Sequence, residues 1–143
     1  MRPLLIGLLL VAFQLLCIGC ASDPSSVRSH TVVHINSMKL APEVVEISGS
    51  ANSIVWTNQS GSAATIQFPA SIATAFSCDE LRPIFVLSGD RVESAKVLRS
   101  GESLTSPCPL KPGSYSYEVW LSETRTQREN PQLKINGRIE VGD

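Results

Sequence analysis

The sequence predicts an all-β Greek-key sandwich or barrel of about 7–8 strands. Three observations predict it. Short β-branched and aromatic runs recur roughly every 10 residues from His30 onward. Clusters of Gly, Pro, Ser and Asn separate them. No run carries the apolar period of a helix of three turns or more. The composition agrees: 143 residues, 43% hydrophobic, only 17% charged, with 9 Gly and 9 Pro. That length fits one domain.

The strands follow in chain order. Thr31–Ile35 is β-branched, and Glu43–Ile47 follows Ala41-Pro42 and stops at Ser48-Gly49-Ser50. Ser53–Asn58 alternates, with Ile54 and Trp56 opposed to Val55 and Thr57. This alternation places Trp56 in the core. Gln59-Ser60-Gly61-Ser62 is a turn, after which Ala64–Phe68 alternates again and ends at Pro69. A short helix is expected within Ser71–Leu81, and strands within Pro83–Leu87, Arg91–Leu98 and Ser103–Ser106. After the Lys111-Pro112-Gly113 turn, Ser114–Leu121 is the most aromatic strand. Ser122–Gln132 is a polar loop with a mixed-charge tip, including Arg125 and Arg128. Leu133–Val141 closes the chain, with Asn136-Gly137 read as a bend or bulge inside it, since an internal glycine often marks one.

The first residues read as an address. Met1-Arg2 supplies a positive start and Leu4–Leu16 is almost unbroken apolar sequence. The tract is shorter than the ~20 apolar residues of a comfortable span, so residues 1–19 read as an export signal. Cys17-Ile18-Gly19-Cys20 resembles the bacterial lipobox, which implies cleavage before Cys20 and lipid attachment to it. Ordinary signal cleavage and a retained membrane helix are the alternatives. Residues 20–29 are a polar tether, and 30–143 form the domain. The resemblance places the domain in a bacterial cell envelope, lipid-anchored and periplasmic or extracytoplasmic, with an outer membrane favoured by Ser22. If Cys20 is acylated, Cys78 and Cys108 remain in an oxidising setting, where an even remainder favours a disulfide. Closing that loop stabilises by about 3.5–4 kcal/mol in the chain-entropy account. Two free thiols, or one thiolate on a metal, are the other possibilities.

Two segments resemble the cupredoxin (plastocyanin-like) superfamily. Met38-Lys39-Leu40-Ala41-Pro42, then Val44, Val45, Ile47, Gly49 and Val55-Trp56-Thr57-Asn58, follow the family's Pro corner, Gly turn and Trp-x-Asn strand end. Ser100–Leu104, Lys111–Tyr117 and Gly137–Val141 follow its Gly-Glu-Ser, Pro-Gly-x-Tyr-x-Tyr and closing Gly-x-Ile-x-Val strands. Together they span nearly all of residues 31–142, and residues 70–99 look like an insertion. The resemblance implies a cupredoxin-like Greek-key sandwich.

It also implies where copper ligands belong. A blue-copper site needs two His, a Cys thiolate and a weak axial Met. The first His position falls on Ala64 and the Cys position on Val119; the loop Ser122–Lys134, which the family uses for the other two ligands, holds neither His nor Met. His30, His34 and Met38 are the remaining donors besides the cysteines. Two residues four apart on a strand lie about 13 Å apart at about 3.3 Å per residue, so His30 and His34 do not chelate one ion without a bend. Surface or edge positions are the plainer expectation for them, and packing under the sandwich for Met38.

Other chemistry is excluded by what the sequence lacks. There is no phosphate-cradling Gly loop and no Gly-x-Ser-x-Gly elbow. A formal charge of −1 gives no basic footprint for nucleic acid. The expectation is therefore a non-enzymatic binding or interaction module without a cofactor, touching the membrane through its lipid and an unknown envelope protein. Its interaction tip is expected near Ala64, Val119, Trp120, Arg125 and Arg128, with Trp120 in the core or near the former metal end. The alternative is an electron-transfer or copper-handling protein that binds copper through His30, His34, Met38 and a cysteine.

Overall fold

The computed structural model describes residues 30–48, 53–78, 84–106, 109–123 and 131–143. They form two packed sheets. Strands β1 (His30–Ile35), β2 (Leu40–Ala41), β4 (Ser53–Asn58) and β8 (Ser103–Thr105) make the first, in the order β2-β1-β4-β8. The second contains β3 (Val44–Ile47), β5 (Ala63–Pro69), β6 (Phe85–Ser88), β7 (Arg91–Ser94), β9 (Gly113–Ser122) and β10 (Leu133–Val141), in the order β3-β10-β9-β5-β7-β6. The chain changes sheets at Ala41-Pro42, so β1 pairs with β4 in parallel and β3 pairs with β10 in parallel. This crossing between sheets makes the fold a cupredoxin-like β-sandwich rather than two stacked hairpin sheets.

The two-residue β2 is the strand the sequence did not suggest; β6 and β7 fall, within a residue, on the strands expected in Pro83–Leu87 and Arg91–Leu98. Segment 70–99 opens with a 3-10 turn at Ala70–Thr74, where a short helix was expected. It then returns as the β6–β7 hairpin, and β7 pairs with β5. The turn of the hairpin is Gly89-Asp90, and Gly89 takes φ 62°, the left-handed conformation that such a two-residue turn requires.

Period-2 alternation decides which side chains meet. In β4, Ile54 and Trp56 are buried while Val55 and Thr57 are partly exposed; in β9, Tyr117, Val119 and Leu121 point inward. Trp56 is fully buried, as its alternation predicts, and lies edge-on to Phe68, Phe85 and Tyr117 at centroid distances of 6.1, 6.2 and 5.9 Å. Edge-to-face geometry suits the ring quadrupoles, each such pair adding about 0.5–1.5 kcal/mol beyond burial.

Two expectations need correction. Met38 does not pack under the sandwich. It sits between β1 and β2 and is 82% exposed, because the short connection turns away from the core. Asn136-Gly137 makes no bulge: the β9–β10 register runs unbroken from Leu133↔Leu121 to Val141↔Gly113. Gly137 is glycine for a different reason, since the Tyr117 ring lies across it from the opposite strand.

Among the described residues the Tyr117 hydroxyl and the Trp56 indole N–H are buried and make no hydrogen bond of normal geometry, although the indole lies close enough to act on the phenol. Burial pushes the Tyr117 phenol up to about 12. A folded chain therefore keeps this proton while the unfolded chain, at its ordinary value of 10.0, loses it. Stability is expected to be intact below pH 10 and to fall as pH rises toward 12, by up to about 3 kcal/mol at 1.36 kcal/mol per unit. Urea denaturation across that range checks this. Tyr117→Phe, which removes both the titration and the buried hydroxyl, should flatten the decline; an equally steep decline in the variant would refute the assignment.

Candidate functional site: a hydrocarbon-sealed metal end and a charged outer face

Ala64 and Val119 both lie on the inner face of the six-stranded sheet and are fully buried. They belong to neighbouring strands: Ala64 is opposite Leu121, and Ile66 is opposite Val119. The free side of β5 is closed beyond β7. Ser94 Oγ accepts from Ile66 N at 3.1 Å, and Leu98 exchanges two backbone hydrogen bonds with Ala64, both at 2.8 Å. Leu98 is fully buried and Leu121 is 4% exposed. Hydrocarbon thus fills this end of the sandwich.

Asn58 holds that closure in place. Its side chain is fully buried and donates from Nδ2 to Ser62 O at 2.8 Å and Leu98 O at 2.9 Å. Its Oδ1 accepts from Ser60 N at 3.0 Å and Ser60 Oγ at 2.7 Å. Beside it, Glu102 is held below the usual carboxylate range, first by the Arg99 backbone N–H and then by Lys96. Around Gly61, Ser62, Ala63, Arg99 and Glu123 an open hollow of about 270 Å³ remains at the surface.

Trp120 points the other way. It projects from the outer face of β9, half-buried, rather than filling the core, and stands opposite Thr65 between Val119 and Leu121. Its Nε1 donates to Glu118 Oε2 at 2.7 Å, and Arg91 Nη1 donates to the same oxygen at 3.2 Å. These donors hold Glu118 below the usual carboxylate range, the indole contributing most. The Arg91 guanidinium carbon lies 4.9 Å from the Trp120 ring centroid and Lys134 Nζ 4.4 Å from it. At an exposed site each such cation–π contact contributes about 0.5–1 kcal/mol. Gln67, buried beside them, donates from Nε2 to Glu93 Oε2 at 2.9 Å.

The other residues singled out by sequence are dispersed. His30 is exposed and His34 half-buried, both on the outward side of β1 with Val32 between them. His30 shares a short hydrogen bond with Ser53 Oγ, and Met38 is exposed on the connection between β1 and β2. Among the described residues no group of three His, Cys, Asp or Glu could hold a metal ion. Cys78 packs against the core. Cys20, Cys108, Arg125 and Arg128 lie outside the described residues. Sequence reasoning missed Arg91, Glu118, Lys134 and Gln67, which come from four strands and meet only through register. The one available signal was the outward Ser116, Glu118, Trp120 alternation in β9.

A two-sheet β-sandwich with this strand order is a cupredoxin-like fold, and comparison with solved structures agrees. An oxidised amicyanin variant matches with a TM-score of 0.53 at 14% identity, covering 79% of this chain and 82% of that one. A reduced Cu(I) amicyanin variant, determined at pH 4, matches with a TM-score of 0.53 at 14% identity, covering 80% and 83%. At such identity the likeness is one of fold alone. No protein-family model and no curated protein matches the chain. Copper is what the second of those structures names, so the donors here must be asked to fit it. They do not fit at the two positions the resemblance marks: Ala64 and Val119 have no lone pair to give.

Proposed function

We propose that this chain is a copper-free cupredoxin-like domain that acts as a non-enzymatic binding module in the bacterial envelope, held to the membrane by lipid on Cys20. The observation that carries the reading is the hydrocarbon packing of Ala64, Val119, Leu98 and Leu121 where imidazole and thiolate would have to stand. A scaffold kept without its donor set retains surfaces, and surfaces bind. The outer face around Arg91, Glu118 and Trp120 is the ordered surface this reading favours; the tip with Arg125 and Arg128 is the other.

Export is supported by the apolar N-terminal tract and by the cysteines. Cys78 is disulfide-bonded. Its proposed partner is Cys108, the one other cysteine left once residues 1–19 are removed and Cys20 is acylated.

Copper titration tests the central claim. Adding Cu(II) to the full chain is expected to produce no intense visible thiolate-to-copper band, either as prepared or after its disulfide has been reduced and the reductant removed. A saturable blue band would overturn the reading and revive electron transfer. Labelling with a radioactive fatty acid tests the anchor: label and membrane retention should both vanish in Cys20→Ala, and persistence of either would refute lipid attachment at that residue.

A further inference from the structure

The β5–β9 ladder stops before β9 does. Its last pair is Gln67↔Glu118, yet β9 continues through Ser116 and Ser114 to Gly113. Two steps further in that register, Pro69 would stand opposite Ser116. Proline has no N–H to give, and β5 turns to β7 instead: Pro69 is opposite Arg91, and Ala70 N donates to Asp90 O at 3.0 Å. The gap closes again where Lys111 N donates to Ala75 O at 2.9 Å, beside the Phe76↔Leu110 bridge. Between the two closures the Gly113–Tyr117 edge faces no described strand, over about 17 Å at about 3.4 Å per residue.

Register decides which backbone groups face this gap. Ala64 exchanges both its backbone bonds with Leu98 and so turns away from β9. Thr65 and Gln67 therefore turn toward it, opposite Trp120 and Glu118. Alternation along an antiparallel strand then aims the N–H and C=O of Ser116 and Ser114 into the gap, while Tyr115 and Tyr117 bond to Ile139 and Gly137 of β10. Both serines are exposed. Two cavities, of about 330 and 450 Å³, fill the gap and share Pro69 and Ser116 as walls. Ile72 and Tyr115 give the larger one an apolar lining. The two ends differ in charge. At one, Arg91 is shared between Glu118 at 3.2 Å and Asp90 at 3.9 Å. At the other, Lys111 Nζ donates to Thr74 O at 2.8 Å, and no described carboxylate answers its charge.

We propose that this gap takes the C-terminal tail of a partner protein as an added strand, antiparallel to β9, with the terminal carboxylate at Lys111. The inference rests on the binding-module reading and names the partner's chemistry. Main-chain pairing with Ser116 and Ser114 supplies the hold, as in strand addition to any open sheet edge. An antiparallel tail keeps the direction of β5 and runs from Asp90 toward Lys111. There the Lys111–Ala75 pairing blocks the way, so a chain end fits and a continuing chain does not. A parallel tail would bring an N-terminal ammonium to the same lysine, where like charges repel.

The test is a titration of the isotopically labelled full chain, held in a zwitterionic detergent, followed by amide NMR shifts. The probes are the hexapeptide Ser-Lys-Thr-Val-Thr-Val with a free C-terminal acid, the same peptide amidated, and the acid N-methylated along its backbone. The expected result is saturable shifts at the Ser114 and Ser116 amides with the acid. The amide should bind about fivefold more weakly, the contribution of one exposed charge pair. Lys111→Gln should lower the acid to the level of the amide and leave the amide unchanged. Ser116→Pro removes an N–H that no described strand uses, and should abolish binding. The N-methylated peptide, which should not bind, asks the same question without altering the chain. Absence of saturable shifts with the acid at millimolar concentration overturns the proposal. So does equal binding of acid and amide, undiminished binding of the N-methylated peptide, or shifts confined to the outer strands β3 and β6. Each of these leaves the binding-module reading standing; a blue copper band would instead remove that reading.

Discussion

Gly137→Val is expected to prevent folding, and Gly137→Ala to cost roughly 3 kcal/mol or more. A Cβ at this position would land on Cζ and Cε1 of Tyr117 and 2.7 Å from Cδ1 of Leu40. Overpacking a core typically costs about 1–3 kcal/mol when neighbours can shift, and here they are hemmed in. Tyr117 is 2% exposed, with Trp56 edge-on at 5.9 Å and Phe68 at 5.5 Å. Leu40 is 4% exposed, on the facing sheet. Denaturant midpoints for Gly137→Ala and for Gly89→Ala separate packing from backbone freedom. Gly89 has φ 62° but open space around its Cβ position, so its substitution should cost only about 1 kcal/mol, the left-handed backbone penalty. A cycle combining Gly137→Ala with Tyr117→Leu should be strongly non-additive, because removing the ring relieves the clash. Equal costs at the two glycines would show that the ring does not lie across Gly137.

The same pair shows what was legible in the sequence and what was not. Strand identity came from alternation, a property of neighbours in the chain, so β1, β4, β5, β9 and β10 were visible within a residue or two. Gly137 was misread because a glycine inside a strand signals either a bulge or a close approach. The choice depends on the residue across the ladder, and Tyr117 is twenty positions away. Met38 was misplaced for a related reason: hydrophobicity gives a tendency to burial, while the two-residue length of β2 leaves the connection before it no core to face. The outer-face cluster needed three registers at once, β5–β9, β9–β10 and β5–β7, to bring Arg91, Glu118, Trp120 and Lys134 together. That hydrocarbon stands at Ala64 and Val119, where the resemblance implies copper donors, was readable from motif order. That Leu98 closes over Ala64 was not, since it belongs to the segment read as an insertion.

Asn58→Ala is expected to cost about 3–4 kcal/mol and Asn58→Asp at least as much, although aspartate keeps the shape. The carboxamide uses both ends: Nδ2 donates to the carbonyls of Ser62 and Leu98, and Oδ1 accepts from the Ser60 N–H and hydroxyl. Truncation leaves buried groups without partners, each costing about 1–3 kcal/mol, with some relief from the second bonds these carbonyls already accept. Aspartate retains the acceptor side, but its carboxylate turns a second oxygen on two carbonyl oxygens. It should be worst at neutral pH and recover in part as acid supplies the missing donor, a direction opposite to the usual acid sensitivity of a favourably paired carboxylate. Thermal melts at neutral and mildly acidic pH check this. The consequence reaches the sealed end through Leu98. Once Asn58 lets go of that carbonyl, the two hydrogen bonds joining Leu98 to Ala64 remain without a lateral brace. Amide exchange at Ala64 and Leu98 should accelerate more than at Ile139 on the distant β10. If Asn58→Asp melts with the unaltered chain and exchange stays uniform, the asparagine is not what keeps hydrocarbon over the position where a histidine would bind copper.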